Sequence, residues 1–252
     1  MLLPLAAALL ALVAGCGSSS RHAAADRLVE ERLGRGADEV WIFRPSGPPR
    51  SLVVFVHGLG LGETTPVNHR PWLEHLAREG SAVIYPRYER ALGSRAAVRH
   101  LVVGVRLAYR HLGSPKLPLV AIGYSRGGEL VADYAAVAPI AGPSPAEVIN
   151  LFPAGQDPAD PPFDLRSVDP HARFTILLGD HDAVVDGAGG HQLLMRLQAA
   201  GFPPERISVA VIHSRGGFVV THTAPLEVTP AAKAAFWARA DRIVDRARAA
   251  AK

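Results

Sequence analysis

A serine stands between two glycines in the segment Gly123–Gly127, which has the pattern G-x-S-x-G. The apolar run 119–122 before it predicts a buried strand, and the run 130–138 after it predicts a helix. A serine at such a turn presents its hydroxyl as a nucleophile, while Gly123 and Gly127 leave out side chains that would collide with the neighbouring strand and helix. With 24 Gly in 252 residues the pattern alone is a weak signal, so Ser125 needs partners elsewhere in the chain.

A serine hydroxyl becomes a good nucleophile only when a histidine takes its proton and a carboxylate orients that histidine. In a parallel sheet these partners come from loops after the carboxyl ends of strands. Two loops carry suitable residues, one after the predicted strand 174–178 and one after the predicted strand 207–212. The candidate acids are Asp180, Asp182 and Asp186, and the candidate bases are His213 and His222.

The elements that must hold these residues alternate along the chain between strands and helices. Apolar, β-branched runs predict strands at 39–43, 51–57, 82–85, 119–122, 148–152, 174–178 and 207–212. Helices are predicted at 26–33, 71–78, 94–112, 130–138, 191–200 and from Pro230 onwards, with Thr229 as the N-cap of the last. The alternation predicts an α/β fold, with a mostly parallel central sheet and helices on both of its faces.

The order Ser, Asp, His, together with G-x-S-x-G, resembles the α/β-hydrolase family over roughly residues 39–250. The resemblance implies a serine hydrolase of the esterase or lipase kind with a minimal cap. It favours Asp182, because Gly179–Asp182 matches the family's G-x-x-D arrangement followed by an apolar pair. It favours His222, because the family's histidine stands in the loop before the last helix. The other candidate acids and His213 would then be loop or strand-end residues.

The resemblance also implies an oxyanion hole made of two backbone N–H groups. One would be that of Arg126, which follows the serine, and the other that of Leu59, with Gly60 as the alternative. His57-Gly58 resembles the family's H-G motif, although Leu59 stands where the H-G-G-G esterases have a second glycine. His57 itself is expected to be structural, because no carboxylate in the sequence is evidently placed to orient it.

Only about 20 residues separate the predicted strands 148–152 and 174–178, which is too few for a helical cap domain. We therefore expect an open site for accessible acyl esters, either small molecules or lipids. Ordinary core packing is the alternative for each of the residues expected to line its acyl pocket: Leu59, Leu61, Tyr124, Phe163, Val184 and Val185.

Residues 1–15 are almost wholly apolar and too few to span a bilayer. They resemble a signal peptide, and Val13-Ala14-Gly15-Cys16 resembles a bacterial lipobox. The resemblance implies a lipoprotein signal peptide at 1–15, a lipidated Cys16 that anchors the protein to a membrane, a tether at 16–36, and one domain at 37–252 on the exported side of a bacterial cell envelope. No basic residue precedes Arg21, which departs from the pattern, and a buried amino-terminal helix is the alternative.

The composition argues against several other functions. The single cysteine excludes an intrachain disulfide, and no pair of histidines has metal-ligand spacing, so neither a metal nor another cofactor is predicted. The net charge is +4, and the basic end of the chain is interleaved with Asp241 and Asp245, which predicts a solvated helix face and not a nucleic-acid site. The arginines of that end are Arg239, Arg242, Arg246 and Arg248.

These observations together predict a serine hydrolase that cleaves carboxylic esters through an acyl-enzyme intermediate. Two alternatives stay open. An acyltransferase would use the same three side chains but exclude water from the acyl-enzyme, and a non-catalytic binding lipoprotein would keep the fold alone.

Overall fold

The computed structural model describes residues 28–60, 62–88, 93–156, 160 and 163–251. Its strands are β1 (Leu28–Leu33), β2 (Val40–Pro45), β3 (Ser51–Val56), β4 (Ser81–Pro86), β5 (Leu119–Tyr124), β6 (Glu147–Leu151), β7 (Arg173–Gly179) and β8 (Ile207–Ile212). They form one eight-stranded sheet in the order β1-β2-β4-β3-β5-β6-β7-β8.

The sheet is mostly parallel, as the sequence predicts. β2 is antiparallel to both of its neighbours, β1 and β4. All the remaining pairs are parallel, so β4, β3, β5, β6, β7 and β8 run in the same direction. The carboxyl ends of β3, β5, β7 and β8 therefore meet at one edge of the sheet, which is where loops can bring their side chains together.

Helices cover both faces of the sheet. They are α1 (Arg70–Arg78), α2 (Ser94–His111), α3 (Arg126–Ala141), α4 (Ala188–Ala199) and α5 (Ala238–Ala250), which continues a short helix Pro230–Ala232 and a π-helical stretch Lys233–Trp237. Side chains of α2, α3 and α4 pack into one core cluster and those of α1 and α5 into another. Thr229 caps the last helical segment as predicted, since its Oγ1 accepts a hydrogen bond of 3.2 Å from the Ala232 N–H.

The helix predicted over 26–33 is wrong for the part of it that the structure describes, because Leu28–Leu33 is strand β1. Its charged side chains favour a helix locally, but in β1 they find partners on the neighbouring strand β2 and on helix α1. Glu31 pairs with Arg44 at 2.7 Å, and Glu30 pairs with Arg70 of α1 at 2.7 Å. β1 also precedes residue 37, where the sequence placed the start of the domain.

The segment between β6 and β7 carries no cap domain in its described part, where the only helical element is the 3₁₀ turn Leu165–Ser167. Nowhere in the described ranges is there a helix with both the length and the apolar character needed to cross a bilayer. The predicted signal peptide, Cys16 and most of the predicted tether lie outside the described residues.

Candidate active site

Ser125 lies at the sharp turn between β5 and α3. Its backbone has φ 56° and ψ −121°, a strained conformation for a residue with a side chain. Four backbone hydrogen bonds hold it there. The Ser125 N–H donates to Leu151 O at 2.9 Å, and the Ser125 carbonyl accepts from the N–H groups of Gly128 at 2.8 Å, Ala154 at 3.0 Å and Glu129 at 3.3 Å. These bonds to β6, to α3 and to the loop after β6 hold Ser125 in its strained backbone conformation.

The two glycines of the G-x-S-x-G pattern are required by close backbone contacts. A Cβ on Gly123 would lie 2.1 Å from the carbonyl oxygen of Gly127 in α3. A Cβ on Gly127 would lie 2.1 Å from Val56 O and 2.4 Å from His57 O, at the end of β3. These contacts confirm the steric reason for which the sequence analysis expected glycine at both positions.

A chain of hydrogen bonds joins Ser125 to a histidine and a carboxylate from two other loops. The Ser125 hydroxyl donates to His222 Nε2 at 2.9 Å, and His222 Nδ1–H donates to Asp182 Oδ2 at 2.8 Å. The Asp182 side chain is 1% exposed and that of His222 11% exposed. The structure therefore brings together the three residues that the sequence analysis favoured.

Asp182 and His222 are themselves held in place. Asp182 Oδ1 accepts from the N–H groups of Val184 at 2.9 Å and Val185 at 3.2 Å, which leaves Oδ2 for the histidine. The Tyr124 hydroxyl, one residue before the serine, donates to the His222 carbonyl at 3.0 Å. A buried carboxylate with fixed partners is what orients an imidazole towards a hydroxyl.

The other candidates lie outside this hydrogen-bonded chain. Asp180 accepts from the Ser214 N–H at 2.8 Å and the Ser214 hydroxyl at 2.7 Å, and bonds from His181 and Ser214 lower its pKa well below the ordinary value. His213 is 75% exposed and lies 3.5 Å from Asp180. Asp186 is in the turn after Asp182, with its N–H bonded to the Asp182 carbonyl at 3.1 Å.

His57 is buried beneath the site. Its ring stacks on Tyr88 with centroids 4.2 Å apart, and its Nδ1–H donates to the Gly58 carbonyl at 2.8 Å. Burial lowers the pKa of His57 to about 4, so the ring is neutral at pH 7. These contacts fit the structural role expected for it.

Glu63 is the residue of this site that the sequence analysis missed. Although 1% exposed, it accepts hydrogen bonds from His69 Nε2 at 2.7 Å, Asn68 Nδ2 at 2.9 Å and the Gly58 N–H at 3.3 Å. Burial alone would raise the pKa of Glu63, but the bond and the charge of His69, with the bond of Asn68, lower it to about 2. The available signal in the sequence was a carboxylate five residues after Gly58 in a glycine-rich loop. In the structure, the hydrogen bonds of Glu63 fix the loop that carries Leu59.

Ser125 and His222 open into a cavity of about 500 Å³. The residues proposed for an oxyanion hole, Leu59, Gly60 and Arg126, all line it. Of the residues expected in an acyl pocket, it is lined by Leu59, Tyr124, Val184 and Val185, and also by Leu226, which was not expected.

One expected pocket residue is wrong and another is outside the described residues. Phe163 lines a separate cavity, where its ring stacks beneath the Arg95 guanidinium at 4.9 Å. The loop after β6 carries Phe163 over the α2–α3 side of the sheet, away from Ser125. Leu61 is not described. No group of three or more His, Cys, Asp or Glu residues in the described part of the chain is arranged to hold a metal ion.

No protein-family model matches the sequence, and no curated protein matches it. Solved structures do match the fold. Esterase B from Lactobacillus rhamnosis, in a structure with a C4-C4 SN3 tributyrin phosphonate inhibitor, superposes with a TM-score of 0.66 at 17% identity, over 92% of this chain and 93% of that chain. The α/β-hydrolase enzyme MGS-M1, from a Medee basin deep-sea metagenome library, gives 0.64 at 14% identity, over 88% and 98%.

A third match is carboxyl esterase 2 from the mycorrhizal fungus Tuber melanosporum, with a TM-score of 0.64 at 16% identity, over 95% of this chain and 89% of that chain. Structural matches at sequence identities this low establish the fold and nothing about the activity. Together with the strand order and the strand-to-helix turn at Ser125, they show that this chain has the α/β-hydrolase fold.

Proposed function

We propose that the protein is a serine hydrolase that cleaves carboxylic esters through an acyl-enzyme. The observation that carries the proposal is the continuous hydrogen-bonded chain from Ser125 Oγ through His222 to the buried Asp182. It opens into a cavity with mainly apolar lining. The solved esterases of the same fold support an ester as the substrate.

The reaction follows from the positions of these atoms. His222 Nε2 accepts the hydroxyl proton as Ser125 Oγ attacks the ester carbonyl carbon, and Asp182 stabilises the resulting imidazolium. The tetrahedral intermediate collapses, and His222 returns the proton to the departing alcohol. Water then attacks the acyl-serine with His222 again as the base, which releases the carboxylic acid and restores Ser125.

The negative charge on the former carbonyl oxygen needs donors in both tetrahedral intermediates. We assign this role to the backbone N–H groups of Arg126 and Leu59, with Gly60 as the alternative to Leu59. Arg126 begins α3, so the positive end of the helix dipole also faces the oxyanion. Glu63 supports the second donor through its bond to the Gly58 N–H.

The cavity suits a short or medium acyl chain. Its volume of about 500 Å³ lies within the usual range for small-molecule sites, and Leu59, Val184, Val185 and Leu226 give it apolar walls. Because the described residues include no cap over it, the alcohol part of the ester can extend into solvent.

A series of p-nitrophenyl esters, from acetate to dodecanoate, tests this proposal. Wild-type protein is expected to release nitrophenol, and Ser125→Ala is expected to lower the rate by about 10⁴-fold or more. Ser214→Ala is the matched control, since Ser214 also lies beside a histidine and an aspartate, His181 and Asp180. Equal rates for wild type and Ser125→Ala would contradict the proposal.

Product analysis separates the two remaining functions. With an alcohol or amine acceptor present, a hydrolase yields mainly the free acid, whereas an acyltransferase yields mainly the new ester or amide. A folded wild-type protein that binds esters without cleaving any of them would favour the non-catalytic binding protein.

Membrane anchoring belongs to the same proposal and rests on the sequence of residues 13–16. Diacylglycerol on Cys16 would hold the domain at the exported face of a bacterial membrane. Expression of the full chain in a bacterium fed with labelled palmitate is expected to label wild-type protein and leave Cys16→Ser unlabelled. An unlabelled wild-type protein that stays in the soluble fraction would contradict the anchor.

A further inference from the structure

A second groove, of about 340 Å³, lies at the amino-terminal ends of β7 and β8. These ends are opposite to the edge that bears the candidate active site. β7 alone is 7 residues long, which separates its two ends by roughly 20 Å. We call this feature the arginine groove, because five arginines line it: Arg173, Arg206, Arg239, Arg242 and Arg246.

The floor of the arginine groove presents two hydroxyl groups side by side. Thr175 of β7 and Ser208 of β8 are partners in the parallel register, and both line the groove. Within the ranges that the structure describes, neither side chain has a hydrogen-bond partner. Each hydroxyl can therefore donate a hydrogen bond to an acceptor that enters the groove.

The charge of the arginine groove is poorly balanced by acids. Arg246 is neutralised by a bidentate pair with Glu147, at 2.7 and 2.8 Å. Among the described residues, Arg173 donates to the backbone carbonyl of Glu205 at 3.5 Å and Arg206 to that of His171 at 2.6 Å, and neither pairs with a carboxylate. The acidic residue among those that line the groove is Glu205.

The two remaining arginines, Arg239 and Arg242, are free to bind a ligand. Arg239 and Arg242 are exposed on the groove side of α5, and among the described residues neither guanidinium has a hydrogen bond or ion pair. The acids interleaved with them in sequence are engaged elsewhere, Asp241 with His75 at 3.0 Å and Asp245 with Arg248 at 2.9 Å. The helix therefore separates its charges, with the cations facing the groove.

We propose that the arginine groove binds a phosphate ester. Guanidinium groups match phosphate oxygens in a bidentate way, and a tetrahedral phosphate offers enough acceptors to bond to Arg239 and Arg242 and, at the same time, to Thr175 and Ser208. A soluble phosphate ester and the head group of a phospholipid present the same phosphoryl group.

The test uses the full 252-residue chain with Cys16→Ser, so that no acyl anchor contributes to membrane binding. Titration calorimetry with sn-glycerol 3-phosphate measures binding of the soluble ester. Sedimentation with vesicles of phosphatidylglycerol and phosphatidylcholine in equal amounts, against vesicles of phosphatidylcholine alone, measures binding of an anionic head group.

Three double variants are compared with this parent protein. Arg239→Gln with Arg242→Gln removes the unpaired cations, and Thr175→Val with Ser208→Ala removes the hydroxyls but keeps every charge. Arg99→Gln with Arg215→Gln is the control, since it makes the same charge change at two exposed side chains outside the groove.

We expect the first variant to weaken binding about tenfold or more, the second to weaken it by a few-fold, and the control to change it little. Binding of glycerol phosphate identifies a soluble ligand, and binding confined to phosphatidylglycerol vesicles identifies a lipid head group. The proposal is overturned if no probe binds, if the control loses as much affinity as the first variant, or if removal of the hydroxyls has no effect. Cleavage of p-nitrophenyl butyrate should be retained by all the variants, so failure here leaves the proposed hydrolase intact.

Discussion

Replacement of Glu63 by glutamine should change how the stability of the fold depends on pH. Glu63 Oε2 accepts from the Gly58 N–H and from His69, and Oε1 accepts from Asn68. A glutamine can keep the first two bonds through its single oxygen, and the Asn68 amide can turn to accept from the new NH₂ group. The substitution therefore removes mainly the negative charge.

The magnitude follows from the pKa of Glu63. A fall from the ordinary value of 4.5 to about 2 corresponds to about 3 kcal/mol, because the folded state holds the ionised form more tightly than the unfolded state does. Since the folded pKa is the lower one, this stability is complete above the unfolded pKa and is lost as the pH falls towards 2. At pH 3 about 2 kcal/mol of it should be gone.

Urea unfolding at pH 7 and pH 3 measures the effect. The difference in free energy of unfolding between wild type and Glu63→Gln should be about 2 kcal/mol smaller at pH 3 than at pH 7. Glu79→Gln is the control, because Glu79 is exposed and its side chain has no partner in the described part of the chain. A wild-type-to-variant difference that is the same at both pH values would refute the reasoning, whatever its size.

Three further predictions concern the strand-to-helix turn at Ser125 and the buried acids. Gly127→Ala should destabilise the fold by about 3 kcal/mol in urea unfolding and abolish ester cleavage, since its Cβ would lie 2.1 Å from a carbonyl oxygen of β3, whereas Gly47→Ala, with open space around it, should do neither. Burial raises the pKa of Glu129 to about 7, so the folded wild type loses stability as Glu129 is forced to ionise. The free energy of unfolding of Glu129→Gln should therefore gain about 3 kcal/mol relative to that of wild type as the pH rises from 4.5 to 8; a constant difference between the two would contradict this. Asp182→Asn should lower kcat about 10⁴-fold because its NH₂ cannot accept from the imidazole, and Asp180→Asn should leave kcat near wild type; the opposite order would reassign the acid.

The sheet and the candidate site were largely predictable from local signals. Buried parallel strands such as β3 and β5 are continuous apolar runs in the sequence, so their bounds could be predicted to within a residue or two. Their order along the chain then put Ser125, Asp182 and His222 after three strands whose carboxyl ends share one edge. These three residues are far apart in sequence, but the parallel sheet brings the loops that carry them to the same edge.

β1 shows where local reasoning fails. Leu-Val-Glu-Glu-Arg-Leu contains good helix formers, and no pattern within it predicts a strand. Its conformation is decided by its antiparallel partner β2 and by ion pairs to Arg44 and Arg70, residues that are distant in sequence. Edge strands of this kind often carry charged residues, which discourage pairing with other chains.

Glu63 was missed and Phe163 was misplaced for a related reason. A lone glutamate in a glycine-rich loop is usually solvated, and only the tertiary fold buries it against His69 and the Gly58 N–H. Phe163 lies in a long loop whose path no periodicity constrains, and that path takes it to Arg95 on another surface. In both cases the deciding contacts involve loops, whose conformations depend on the finished fold.

The most direct test of the central claim is covalent labelling by a fluorophosphonate, read out by intact mass and peptide sequencing. The probe reacts with a serine only when a base activates its hydroxyl. We predict one adduct per wild-type chain, located on Ser125, and none on Ser125→Ala or His222→Ala. A folded wild-type protein that takes up no label, or takes it up on another residue, would contradict the claim that Ser125, His222 and Asp182 form a working nucleophilic site.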